Sequence, residues 1–573
     1  MVGSVEVFNE YKKHRAEEVL EKRKIRLSKI NNKETASAWI KEVKTWFQKS
    51  VGPLVIVENP KKEYFGYVQA KGFRIEKWLF EVFPGTYASS NFYVPEKVNS
   101  SGVSIVAPIG HWTDGKLNPD YQNLGAYMAS HGVPILIYDH AGLGERKEFW
   151  DPIKQESLPG KSPTTEHCRM GDMLTAVGIQ PANFFLSEAL QAVTFLKSFD
   201  FINPNKIGIS GASGGGSISR EAACYFDDLA FSIPVCILRK ETVGGDSCHE
   251  QIIWGEGVEG VSAIDNLICM APKPVMVVSE FIDCGLESSY ATLRRIYDLM
   301  GAPEKVTEYY RIHDVHGYTH PMIEAVYRFL KNNFDLNEAN YNVWQNIKNY
   351  NSSDLNITKS GFLNRERLQV SMRQQALNQC RKFGEITENN LKKILGLDLL
   401  AKVECASSTE SFAVMRVGSC LKEEAGTIGL IDWEPSQVGW YHGYGDVYNC
   451  AEAGAGRWSL SFGCSVLGYR VQEIVSYVKK HGNTIKVLQA SHKWCLPLLL
   501  ACAIHKSNGF PKIELKYLLS SYRSAVLEDL NVIYSANYIP GILQYGDIDD
   551  IIKFCGDAVT VKYRTDSFGR VVG

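Results

Sequence analysis

From about residue 63 to residue 281 the sequence alternates short β-rich runs, most of them apolar, with helix-length segments, and few folds accommodate that pattern. The runs are "FRIEKWLFEV", "VSIVAPIG" (103–110), "VPILIYDHAG" (133–142), "KIGISGAS" (206–213), "AFSIPVCIL" (230–238) and "PVMVVSEF" (274–281), with helix-like segments at 121–131, 183–198 and 286–300. Strands that are apolar on both sides must be covered on both sides. The alternation therefore predicts an α/β fold with a mainly parallel sheet and helices on each face. Ligands of such sheets bind beyond the carboxyl ends of the strands, so chemistry is expected just after each apolar run.

A chain of 573 residues exceeds what one core organises, about 250–300 residues, so two large units are expected. Residues 1–62 read as an N-terminal helical region, with Thr35 able to cap a helix running to about Lys49. Residues 63–335 form the first α/β unit. An Asn-rich stretch at 335–365 marks its end, residues 336–409 read as a linker and helical region, and a second α/β pattern fills 410–573.

Composition excludes several classes of function. With 62 basic against 64 acidic residues and a net charge of −2, no overall field attracts nucleic acid or anionic lipid. The longest strongly apolar stretch, Trp494–Ile504, is about half of the ~20 residues a membrane span needs. The N-terminus lacks the apolar core of a secretory signal, so a cytoplasmic location is expected. Fourteen cysteines without any C-x-x-C read as small buried hydrophobes. Nothing in the sequence sets an oligomeric state.

In "KIGISGASGGGSIS" (206–219) the phrase Gly211-Ala212-Ser213-Gly214-Gly215 fits G-x-S-x-G, a serine on a strained turn between strand and helix. An apolar strand precedes it and a helix-compatible segment follows. Ser210 fails the pattern because Ala212 stands where its second glycine belongs, and Ser217 and Ser219 fall inside the helix. Ser213 is the candidate nucleophile. A phosphate-binding loop is the competing reading, but no Lys-Ser/Thr pair closes one.

A serine needs a histidine to take its proton and an acid to orient that histidine, here in the chain order Ser, acid, His. The acid is expected at Asp283, beyond the strand "PVMVVS", with Glu280 as the alternative. The histidine is expected at His316 in "HGY", with His313 the next choice. His313, His316 and His320 lack the carboxylates or cysteines that would complete a metal site, so no metal and no cofactor are expected. For the oxyanion, the backbone N–H of Gly214 is one expected donor, and the loop "PIGHWTDGK" (108–116) supplies the other around His111 and Trp112.

Across residues 65–335 the motifs "GHWTDGK", "YDHAGLGER", "KIGISGASGGG", "GGDSCHEQ", "MAPKPVMVVSEFID" and "HGY" occur in an order that resembles bacterial α/β-hydrolases of the acetyl xylan esterase-like kind. The resemblance implies a Ser-His-acid site hydrolysing a small-molecule or carbohydrate ester. Within it, Asp139, Gly142, Gly144, Glu145 and Arg146 match a strand-end loop, which Glu145 and Arg146 are expected to brace. "HEQ" (249–251) matches without an evident chemical role. Peptidase or lyase chemistry on the same serine, or a non-catalytic scaffold, are the alternatives.

The second half repeats the first in weakened form. "TIGLIDWEPSQVGWYHGYG" (427–445) parallels "PILIYDHAGLGERKEFW", "IKVLQASHKW" parallels "KIGISGASGG", and "AVTVKYRTDSFG" (558–569) parallels "PVMVVSEFIDCG". Gln489 and Lys493 stand in for the elbow glycines in that alignment and no "HGY" loop follows. The half is therefore expected to be a degenerate, truncated hydrolase-like domain without catalysis, although Ser491 precedes His492.

Overall fold

The computed structural model describes residues 4–151, 153–154, 156–159, 163–238, 248–280, 286–311, 313–367, 369–400, 403–405, 410–420, 425–432, 451–528, 533 and 535–572. The first half contains β1 (Lys62–Ala70), β2 (Phe73–Phe83), β3 (Thr86–Pro95), β4 (Ser104–Pro108) and β5 (Ile135–Tyr138), then a short ribbon of β6 (Trp150–Asp151) and β7 (Glu156–Ser157). It continues with β8 (Ile207–Ala212), β9 (Ser232–Val235), β10 (Val275–Glu280) and β11 (Val306–Arg311). Apart from the ribbon these strands form one sheet, ordered β1-β2-β3-β5-β4-β8-β9-β10-β11. The pairings β1–β2, β2–β3 and β3–β5 are antiparallel, and those from β5 to β11 are parallel.

Strands β4, β5, β8, β9 and β10 are buried at every residue, as expected of apolar runs with helices on both faces. On one face Tyr121, Leu124 and Met128 of the helix Pro119–Ser130 share a core with Met322, Val326 and Leu330 of the helix His320–Phe334. On the other face lie helices Pro181–Lys197, Gly214–Tyr225 and Leu286–Leu299, backed by Trp39, Val43 and Phe47 of the helix Lys33–Val51. That last helix is capped by Asn32, with Thr35 as its reciprocal partner three residues inside, so the cap stands earlier than Thr35. The result is the α/β-hydrolase fold. Strand order reverses between β4 and β8, the point where α/β sheets bind ligands.

The second half builds a smaller sheet from β12 (Val414–Ser419), β13 (Thr427–Leu430), β14 (Val487–Ser491), β15 (Lys512–Leu519), β16 (Val559–Thr565) and β17 (Val571–Val572). Its order is β13-β12-β14-β15-β16-β17. Strands β13 to β16 repeat the arrangement β5-β4-β8-β9-β10 in the same sense. Among the described residues two α-helices separate β13 from β14 (Ala451–Ser461 and Val466–His481), as two separate β5 from β8 (Pro163–Val177 and Pro181–Lys197). The weak repeat in the sequence is thus a repeat of topology.

One difference is physical. Met415, Val417, Leu488, Ala490, Ile513 and Leu515 are buried, while their neighbours along β12, β14 and β15 are partly or fully exposed. Among the described residues this sheet buries one face and leaves the other partly exposed. Its open face carries Val414 (53% exposed) and a polar group in which Gln489 donates to Glu514 (3.0 Å) and Lys562 pairs with Glu514 (3.2 Å).

The two halves meet along the buried helix Pro163–Val177. Arg169 donates to the carbonyls of Ala525 (2.6 Å) and Glu528 (2.8 Å), and the N–H of Gly541 donates to Thr175 (2.8 Å). Between the halves, the connecting segment touches both: Val370 N–H donates to Gly85 O (3.0 Å) and Arg367 forks onto Glu63 (2.7 and 2.8 Å) in the first, while Phe383 N–H donates to Gln544 O (2.9 Å) in the second. Among the described residues no helix is long and apolar enough to cross a membrane.

Glu473, on the helix Val466–His481, accepts from the N–H of Ile431 (3.1 Å) at the end of β13. Burial pushes its carboxyl up from 4.5 to about 8, against the opposing pull of the Ile431 N–H and Arg470. Between those two values the folded chain keeps a proton that the unfolded chain releases, so stability falls as pH rises through the window. Denaturant unfolding at pH 5 and pH 8 is expected to show this loss in the native chain. In Glu473→Gln, which stays neutral and can still accept from Ile431, the difference should shrink.

Candidate active site

Strand β8 ends at Ala212 and the next helix begins at Gly214, so Ser213 alone makes the reversal, with φ 56° and ψ −120°. A left-handed conformation costs a residue with a side chain about 1–3 kcal/mol and persists only where the surroundings enforce it. Here Ser213 N–H donates to Val235 O (2.9 Å) and Ser213 O accepts from Ser217 N–H (3.0 Å). The flanking glycines are required by backbone contact. A Cβ on Gly211 would lie 2.5 Å from the Gly215 carbonyl, and one on Gly215 would lie 2.2 Å from Pro108 O. Two of the other serines have structural duties: Ser210 Oγ bonds Ile233 O (3.0 Å) and Tyr318 Oη (2.7 Å), and Ser219 Oγ donates to Gly215 O (2.8 Å).

His316 stands in the loop after β11, with Nδ1 3.0 Å from Oε1 of Glu280, the last residue of β10. A carboxylate only accepts, so Nδ1 carries the proton and Nε2 is the basic nitrogen of the neutral ring. The His316 side chain is 38% exposed and that of Glu280 only 3%, which places the imidazole at the solvent edge with the carboxylate behind it. Asp283 lies outside the described residues; the carboxylate that meets His316 is Glu280. His313 is exposed, and His320 stacks on Trp344 with ring centroids 3.8 Å apart.

Tyr318, Trp112 and Tyr121 link the histidine loop, the loop after β4 and the elbow to one another. Tyr318 bonds Ser210, three residues before Ser213, and its N–H donates to Asp120 (3.3 Å). The Trp112 ring stacks on His316 at 6.2 Å and 25°. Tyr121 completes the frame: its hydroxyl donates to Pro108 O (3.0 Å) and accepts from Ala212 N–H (3.0 Å), joining the end of β4 to the elbow. Trp112 N–H itself donates to Gly110 O (2.8 Å), which withdraws it as an oxyanion donor. Trp112 contributes its ring instead. Of the expected donors that leaves Gly214, the first residue of its helix, where N–H groups have no intrahelical partner, together with the backbone of His111.

Behind the loop 108–116 sits a buried ionic group. Lys116 Nζ lies 2.7 Å from Asp139 and 2.6 Å from Glu145, and Asp139 also accepts from Lys116 N–H (2.8 Å) and Ser89 Oγ (2.8 Å). Burial alone would lower the Lys116 ammonium, but Asp139 and Glu145 hold it raised. Glu145 in turn takes the N–H of Ile357 (3.0 Å) and of Thr358 (2.8 Å), while Arg146 pairs with Glu188 (2.6 Å). The strand-end loop is braced as its sequence suggested, through fully buried partners rather than surface ion pairs. "HEQ" has a role at the boundary between halves, where His249 Nε2 meets Asp172 (3.2 Å) and Ser535 Oγ donates to the other oxygen of Asp172 (3.0 Å).

Tyr121, Tyr318 and Lys116 do not stand out in the sequence, because nothing distinguishes a bracing tyrosine among 28 until the strands are in place.

No family model matches the chain, and no curated protein matches it. Among solved structures, Methylesterase BT1017 is similar at 20% identity and a TM-score of 0.47, over 60% of this chain and 72% of that one. A Bacteroides fragilis protein provisionally designated an acetyl xylan esterase is similar at 16% identity and a TM-score of 0.41, over 49% and 76%. A glucuronoyl esterase from Solibacter usitatus is similar at 11% identity and a TM-score of 0.40, over 53% and 94%.

Two outcomes test this geometry. Lys116→Met strands two buried carboxylates and should destabilise the fold by about 3–5 kcal/mol in denaturant melts. Labelling of Ser213 by a fluorophosphonate should slow about 10³–10⁴-fold in Glu280→Gln, as expected when the acid that orients a base is neutralised. In Asp283→Asn it should stay near the native rate.

Proposed function

We propose that the protein is a serine hydrolase acting on carboxylic esters, with Ser213 as nucleophile, His316 as general base and acid, and Glu280 as the orienting carboxylate. The observation that carries this reading is the strained serine at the switch point of the sheet, on the strand to which the His316–Glu280 loop is anchored through Tyr318. In the first step Nε2 of His316 takes the Ser213 proton as Oγ attacks the ester carbonyl. Glu280 holds Nδ1–H and stabilises the imidazolium that forms.

The N–H of Gly214, at the positive end of its helix, and the backbone of His111 receive the oxyanion. Losing one such donor in related chemistry costs about 10²–10³ in rate. His316 then returns the proton to the departing alcohol, and water repeats the cycle on the acyl-enzyme. The substrate class we assign is a small ester, acetylated carbohydrate included, following the motif resemblance in residues 65–335. The second half supports the site through the helix Pro163–Val177 and carries no chemistry of its own.

The test is turnover of short-chain nitrophenyl esters combined with mass mapping of a fluorophosphonate label. Ser213→Ala should lose at least about 10³-fold in kcat/KM and all of the label, while Ser491→Ala retains both. Label on Ser213 with peptide cleavage but no ester turnover would favour a peptidase; no label at all would favour a scaffold.

A further inference from the structure

Three segments far apart in sequence bring a thiol and two imidazoles together on the oxyanion side of Ser213. They are the loop after β4 (His111), the buried helix Pro163–Val177 (His167) and the loop containing Cys248. His111 Nε2 lies 3.1 Å from His167 Nδ1 and 3.4 Å from Cys248 Sγ, and Cys248 Sγ lies 4.0 Å from His167 Nδ1. His167 and Cys248 are each 1% exposed, and His111 is half-buried.

From these atoms we infer a binding site for one zinc-class divalent cation, held by His111 Nε2, His167 Nδ1 and Cys248 Sγ.

The separations fit the metal. Zinc bonds of about 2.0–2.1 Å to nitrogen and 2.3 Å to sulfur, set at tetrahedral angles, place ligand atoms roughly 3.3 Å (N to N) and 3.6 Å (N to S) apart. The tautomer fits as well. His167 Nε2 lies 3.0 Å from the carbonyl of Ala141, which can only accept, so Nε2 carries the proton and Nδ1 presents its lone pair to the cluster. Orientation of a metal-binding histidine by a hydrogen bond from its far nitrogen is the usual supporting arrangement. Hydrogen bonding alone explains the triangle less well, since one proton joins two of these atoms strongly whereas a cation joins all three. Two imidazoles and a thiolate favour a borderline ion such as Zn²⁺ over Mg²⁺ or Ca²⁺.

The location gives the site its interest. A Cβ on Gly214 would lie 2.9 Å from Nε2 of His111, so a liganding atom is in contact with the residue that follows the nucleophile. Three protein ligands leave a fourth position, as in zinc sites that take water or a substrate oxygen. This cluster is separate from the histidines at 313–320 and uses neither His316 nor Glu280, so its occupancy can be tested without any assumption about ester hydrolysis.

Full-length protein stripped with chelator and titrated with Zn²⁺ against a chromophoric competitor should bind one equivalent per chain. That binding should weaken at least about tenfold in both Cys248→Ser and His167→Gln, with circular dichroism checking that the variants fold. Co²⁺ added to the unmodified chain supplies a reading that does not depend on the variants: a thiolate-to-cobalt charge-transfer band with a tetrahedral d–d spectrum is expected. Absence of stoichiometric Zn²⁺ binding, binding unchanged in either folded variant, or bound Co²⁺ without the thiolate band would each overturn the proposal.

Discussion

The first half depends on a contact between backbones. At the end of β8 the chain turns back into a helix so tightly that the Gly211 and Gly215 backbones press against each other and against the carbonyl of Pro108 at the end of β4. No side chain fits at either glycine, so the two central strands approach closely and Ser213 is lifted above them. Tyr121 then bonds both strand ends with a single hydroxyl. What reads in the sequence as a glycine-rich loop is one of the least adjustable parts of the structure.

Around this contact the protein places charge where water is absent. Lys116, Asp139 and Glu145 form a closed group whose members are of little use apart: burying one charge without its partners costs several kcal/mol, while the complete set roughly offsets its own desolvation. The value of the set is positional. Through Asp139 it fixes the loop after β5, through Lys116 the loop after β4, and through Glu145 the backbone at 357–358. The Asn-rich segment therefore lies against the first half, with its backbone donors used by a buried carboxylate.

Much of this was legible in advance, and the exceptions have physical causes. Apolar runs that tolerate no polar face predicted the parallel strands, and the small residues of "GASGG" predicted the elbow, because both patterns follow from steric demands on the backbone. The acid was harder to place. Glu280 closes a strand that is otherwise Val, Met and Ser, and spacing alone does not say that the last strand residue, rather than one in the following turn, reaches the histidine. Trp112 was expected to act through its N–H, but a turn within the loop claims that group and turns the indole toward His316 instead. The open face of the second sheet escaped because alternating burial in short strands resembles noise until the register is known.

At the corresponding strand-to-helix turn of the second half the residue with positive φ is His492 (φ 53°), one place beyond Ser491, whose backbone is extended. Counting from the apolar run misses this by one position, and the elbow there reads Ala490-Ser491-His492-Lys493-Trp494. His492 stacks on Tyr517 at 4.7 Å, and Lys493 is drawn to Asp432 (2.6 Å), the counterpart of Asp139. A positive φ thus occurs at both corners, at Ser213 in the first half and at His492 in the second. Strain at Ser213 cannot then be credited to catalysis alone. It is what this strand-to-helix reversal demands of whichever residue occupies the corner, and a reactive serine is one use of a geometry that the architecture imposes on both halves.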